Sequence, residues 1–175
     1  MRLRAGARGG TLGGMTHVLS QDHHPTLRHP DREALGADLQ RVLVALIDLS
    51  LIGKHAHWNV VGPNFRSLHL QLDEMIDEWR DAADAVGERA VALGHAPDGR
   101  SATVAERSEL HSLEAGPQRD QELIGALTAI LTDAIGLIRE RMDRLEDVDT
   151  VTADLLHGVV ATLEKQVWMI RVQAA

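Results

Sequence analysis

Leu35, Leu39, Val42, Leu46, Leu49 and Ile52 recur at steps of three and four, the spacing that lines one face of an α-helix. This stripe predicts a first helix from about Asp31 or Arg32 to near Trp58. A second, more regular stripe runs through Phe65, Leu68, Leu72, Met75, Trp79, Ala83, Val86 and Ala90. It predicts a helix that begins near Asn64 and stops at Gly94 in a C-terminal cap. The loop between them, residues 59–64, holds Gly62 for a tight turn and Pro63, expected at the first position of the second helix. Two more helices are expected over about 118–145 and 150–172, parted by an acidic turn at 146–149.

The segment between Gly94 and Pro117 is polar, contains Pro97, Gly99 and Gly116, and is long enough to cross a bundle. Residues from Ser101 onward suggest a short helix within it. All five prolines, Pro25, Pro30, Pro63, Pro97 and Pro117, lie between the periodic segments. Four long helices with one long central connection predict an all-α, ferritin-like four-helix bundle over residues 31–175. Residues 1–30 are rich in Gly, Arg and His without periodicity and are read as a flexible tail, in which Met15 offers an alternative start.

Composition narrows the chemistry. The chain of 175 residues has no cysteine, which excludes disulfides and thiolate ligands and leaves imidazole and carboxylate for any metal. No apolar leader follows the first arginines and no membrane span is expected, so a soluble, cytoplasmic protein is predicted. A net charge of -8 attracts cations and restricts any DNA contact to a local basic segment.

His69 and Asp73 are four residues apart, as are Asp84 and Glu88, so each pair stacks on one face of the second helix. All four fall within an arc of about 100° beside the apolar stripe. Asp73 and Asp84, however, stand about 16 Å apart along a helix, far beyond the reach of one ion with bonds near 2 Å. Two antiparallel copies about a two-fold axis would bring His69 and Asp73 of one to Asp84 and Glu88 of the other, in a homodimer with two equal sites. His57 reaches the same place if the tight loop folds the first helix back. Two imidazoles and three carboxylates suit ferrous iron, with manganese or zinc as competitors. Against this stands the plain reading of solvated charged faces, with Arg80 pairing to Asp84.

The segment from Lys54 to Glu74, KHAHWNVVGPNFRSLHLQLDE, together with DAVGERAVALG from Asp84 to Gly94, resembles the Dps family, the starvation-induced DNA-binding miniferritins. TADLL from Thr152 and LEKQVW from Leu163 are similar to that family's closing segments, so the likeness spans residues 31–171. It implies a dodecameric shell around an iron cavity and a ferroxidase that turns Fe(II) into Fe(III), with hydrogen peroxide commonly preferred. It also implies that His57, His69 and Asp73 come from one subunit and Asp84 and Glu88 from its partner. The Glu-x-x-His pairs of larger ferritins do not occur on the predicted helices.

Lesser features divide between two readings each. Trp58 either intercepts oxidising equivalents, as the resemblance implies, or anchors the helix end. Trp79 and Trp168 are read as core or interface. Glu146, Asp147, Asp149 and Asp154 either line an acidic three-fold pore or form a solvated, capped turn. His17, His23, His24 and His29, with Asp22, are read as a tail without a specific metal site, and His55 either donates near the site or faces solvent. Arg2, Arg4, Arg8 and Arg28 carry the rival function, nucleoid binding through twelve tails acting together.

Overall fold

The computed structural model describes residues 29–174. It consists of α1 (His29–Asn59), β1 (Val60–Val61), α2 (Phe65–Ala92), α3 (Ser101–Arg107), β2 (Gln118–Arg119), α4 (Asp120–Leu145) and α5 (Thr150–Arg171), closed by a 3₁₀ turn at Val172–Ala174. The four long helices and the short one in the central connection are those the periodicity predicts. α1 starts ahead of expectation and takes Pro30 into its first turn, where a helix needs no backbone N–H from that residue.

Two local expectations fail. Pro63 lies in the turn before α2, not at its first position; Asn64 is the N-cap and the Phe65 N–H donates to the Gly62 carbonyl at 3.1 Å. Gln118 and Arg119 precede α4 because they pair, in parallel, with Val60 and Val61. Two residues carry no period to read, and their partners lie far off in the chain. At the other end of α2, Gly94 has φ +87°. Its N–H donates to the Val91 carbonyl and that of His95 to the Ala90 carbonyl, the paired bonds of a Schellman cap.

α1 packs most extensively on α2 and α4 on α5; α1 against α4 and α2 against α5 join the two hairpins. The core between them is aliphatic, with Leu35, Leu39, Leu46 and Leu49 of α1, Leu68, Leu72 and Ile76 of α2, and Leu123, Ile124 and Leu127 of α4 fully buried. Trp79 is the largest side chain in it, and its indole N–H donates to Gln166 Oε1 at 2.7 Å, so the buried donor is satisfied. Trp168, in contrast, is 58% exposed and takes no part in the core of the chain.

α4 is long and apolar enough to cross a membrane by length and composition, which the sequence reading did not anticipate. Its apolar positions, Leu123 through Leu145, instead line the bundle, and the length follows from matching the other three long helices.

The approach of α1 to α2 depends on Gly53. A Cβ there would stand 2.5 Å from Trp79 Cζ3 and 2.8 Å from Ile76 Cγ1. Gly53→Val is therefore expected to destabilise the protein by about 1–3 kcal/mol through overpacking. Calorimetry should show a clearly lower Tm; an unchanged Tm would mean that the two helices separate there without cost.

Candidate metal centre

The turn 59–64 folds α2 back along α1, which sets the last turn of α1 beside the first three turns of α2. His57 thereby meets His69 and Asp73. One potential ligand atom from each of these three lies within 4.8 Å of the others. His57 is buried, 7% exposed, whereas the next residue, Trp58, is 72% exposed. A role for Trp58 as an anchor within its own chain is thus not what the fold adopts.

The two imidazoles hold each other in a reciprocal clasp. His57 Nδ1 lies 2.9 Å from the His69 carbonyl, and His69 Nδ1 lies 3.0 Å from the His57 carbonyl. Their rings stack with centroids 3.7 Å apart and planes at 21°. A carbonyl only accepts, so each Nδ1 must carry the proton, and in the neutral rings each Nε2 then holds the lone pair. Backbone carbonyls fixing the far nitrogen are the usual means of orienting a histidine toward a metal.

Asp73 forms an ion pair with Lys54, and His57 Nδ1 stands 3.4 Å from its Oδ1. The hydrogen bond from Lys54 holds the Asp73 carboxyl below the usual carboxylate range, against some desolvation, and the charge of Lys54, with that of His57 and His69 when protonated, acts in the same direction. Asp73 is consequently an anion at neutral pH. Lys54, which the sequence reading did not single out, supplies the positive charge beside it. Its place one turn before His57 was the available signal.

Asp84 and Glu88 lie elsewhere. Both are exposed and line a groove of about 720 Å³ with Leu43, Ile47, Val91 and Pro97. Arg80 pairs with Asp77 at 3.8 Å, not with Asp84 as the plain reading would have it. One chain thus gathers three of the five expected ligands and leaves two farther along the same helix.

The remaining candidates separate as follows. Asp149 accepts from Arg89 at 2.6 Å and from the Thr152 hydroxyl, and is the N-cap of α5. Glu146 lies 3.5 Å from His157, while Asp147 and Asp154 are exposed. The four acidic residues do not act as one cluster in the chain. His55 Nε2 meets the Glu114 carbonyl at 2.9 Å, which ties α1 to the connection before α4 and not to the site. Arg2, Arg4, Arg8, Arg28, His17, Asp22, His23 and His24 lie outside the described residues, as does the side chain of His29.

A family model described as the ferritin-like domain matches residues 36–175. The chain is 35% identical over 133 residues to the DNA protection during starvation protein of Mycolicibacterium smegmatis, covering 76% of this chain and 73% of that one. It is 34% identical over 167 residues to the fine tangled pili major subunit of Haemophilus ducreyi, covering 91% and 88%. Among solved structures, Mycobacterium smegmatis Dps superposes with a TM-score of 0.83 at 33% identity, covering 86% of this chain and 92% of the other. DpsA14 from Streptomyces coelicolor gives the same TM-score and identity, 0.83 and 33%, over 86% and 89%.

Asp149 provides a pH test of the acidic turn. Desolvation raises its pKa, but the bonds from Thr152 and Arg89 outweigh that and leave it lowered. A lowered native pKa contributes stability above the ordinary carboxylate value of about 4, and that contribution is lost as the pH falls through the native value. Asp149→Asn should therefore cost about 1–3 kcal/mol at neutral pH, and its Tm deficit should shrink as the pH drops below about 4. A deficit independent of pH would remove the ion pair as its cause.

Proposed function

The chain belongs to the Dps family of ferritin-like proteins, and from that premise we propose that it is a ferroxidase and iron-storage protein. It oxidises Fe(II) at sites shared between two copies related by a two-fold axis and keeps the ferric product inside a dodecameric shell. The observation that carries this reading is the His57–His69 clasp, which fixes two imidazoles so that a potential ligand atom of each lies within 4.8 Å of one on the anionic Asp73. Asp84 and Glu88, exposed and about 16 and 22 Å from Asp73 along the same helix, fit the second half of the site when an antiparallel copy packs on α2.

Iron is the substrate here. Two imidazoles and three carboxylates suit ferrous iron and leave room for an oxidant. With hydrogen peroxide, two ferrous ions give one electron each, the O–O bond breaks, and two protons complete two waters. Electrons taken in pairs release no hydroxyl radical. Trp58, exposed next to His57, stands where a stray oxidising equivalent would be captured first. Such chemistry belongs in a reducing cytoplasm, where ferrous iron persists.

The relatives' name speaks of DNA protection. Removal of iron and peroxide protects DNA without contact. Direct contact would fall to Arg2, Arg4 and Arg8 in an otherwise acidic chain, which ranks it second.

Ferric absorbance after anaerobic addition of ferrous iron and peroxide tests the main reading. Asp73→Ala and Asp84→Ala should each slow oxidation about 10–100-fold at unchanged assembly size. A wild type no faster than buffer would end the ferroxidase assignment. For DNA, a gel shift at low salt that disappears on removing residues 1–28 is expected if the tails bind; no shift would dismiss that reading.

A further inference from the structure

The site already described leaves one buried carboxylate without a role. Asp120 opens α4, is 4% exposed, and sits against the turn that joins α1 to α2. Its Oδ2 accepts the Asn64 N–H at 2.7 Å, and its Oδ1 accepts the Gln121 N–H at 3.0 Å. One carboxylate thus serves the starts of two helices, where a negative charge is favoured by the orphan N–H groups. Gly62, at φ +135°, passes so close that a Cβ would stand 2.4 Å from Asp120 Oδ1. The pairing of Val60 with Gln118 and Val61 with Arg119 holds the turn from its other side.

This joint lies at the closed end of the hairpin that carries the histidines. His57 comes three residues before Val60, and His69 five residues after Asn64. The clasp needs the carbonyl of each opposite Nδ1 of the other, at 2.9 and 3.0 Å. A shift of α2 against α1 would lengthen or misalign these bonds, which weaken steeply as the donor angle closes. Nδ1 would then no longer be held as the donor, and the fixed orientation of both rings would be lost.

We infer that Asp120 is a positioning residue for metal binding: through Asn64 and Gly62 it sets the register of α2 on α1 and so orients His57 and His69. This rests on the reading of His57 and His69 as metal ligands. Asp120 touches neither the metal nor the histidines, and acts through the backbone of the turn.

The test uses the assembled full-length protein and cobalt(II) alone as probe, with its visible ligand-field absorption giving affinity and geometry. Asp120→Ala should weaken cobalt binding about tenfold or more and change the spectrum. The half-saturating ferrous concentration should rise by a similar factor, with a smaller change in kcat. Gly62→Ala disturbs the same joint from the opposite side and should give the same signature, which also serves if Asp120→Ala fails to assemble. Asp120→Asn keeps a carbonyl acceptor for the Asn64 N–H and should recover most of the affinity.

If Asp120→Ala lowers Tm while cobalt affinity and spectrum stay as in wild type, Asp120 supports the fold alone and the inference is overturned. It is equally overturned if His57→Ala leaves cobalt binding intact, since there is then no pair to position. If cobalt binding depends on His57 and Asp120 but the wild type oxidises no iron, positioning stands and the ferroxidase reading fails.

Discussion

Two helices of 31 and 28 residues packed side by side tend to slide, because aliphatic ridges fit their grooves at more than one offset. In this protein the slide of α2 on α1 is arrested at three levels. Gly53 admits the Trp79 ring at one height only. The His57 and His69 rings bond each other's carbonyls across the hairpin. At the closed end, Asp120 and the short parallel pairing grip the turn from α4. Hydrophobic burial supplies most of the stabilisation, but it is largely indifferent to register. The polar contacts are directional and select one offset, and the candidate metal centre exists only at that offset.

The same division between bulk and direction recurs in how charge is placed. Asp149 and Arg89 are drawn together at the start of α5, with Thr152 completing the carboxylate's bonds. Gln166 links the Trp79 indole to Glu78. Each is satisfied locally, as partly buried polar groups must be. Asp84 and Glu88, in contrast, look outward along the groove on α2. Lys54 compensates the charge of Asp73. A divalent cation arriving at the candidate centre would have to compete with it.

Much of this was legible beforehand. The four long helices followed from strict three-and-four spacing, since a stripe of Leu, Val and Trp can be buried on only one side of a helix. The Gly94 cap followed from the left-handed geometry that glycine alone adopts without strain. The separation of Asp73 from Asp84 followed from helix rise alone. The Dps likeness was written in the residues around His57 and His69. What lay hidden was what depends on partners distant in sequence. No local pattern announces that Val60 and Val61 pair with Gln118 and Arg119, or that Asp149 faces Arg89 across the bundle.

The sequence by itself therefore determined the helices, their apolar faces, and the candidate ligand types and their spacing, because each depends on residue type and on the period of the backbone. Tertiary structure alone decided which nitrogen of each histidine is tied, that Lys54 holds Asp73, and that Asp120 clamps the turn. These are contacts across chain separations of 12, 19 and 56 residues. Their geometry is set by how whole helices pack, and packing is a property of the assembled core rather than of any segment within it.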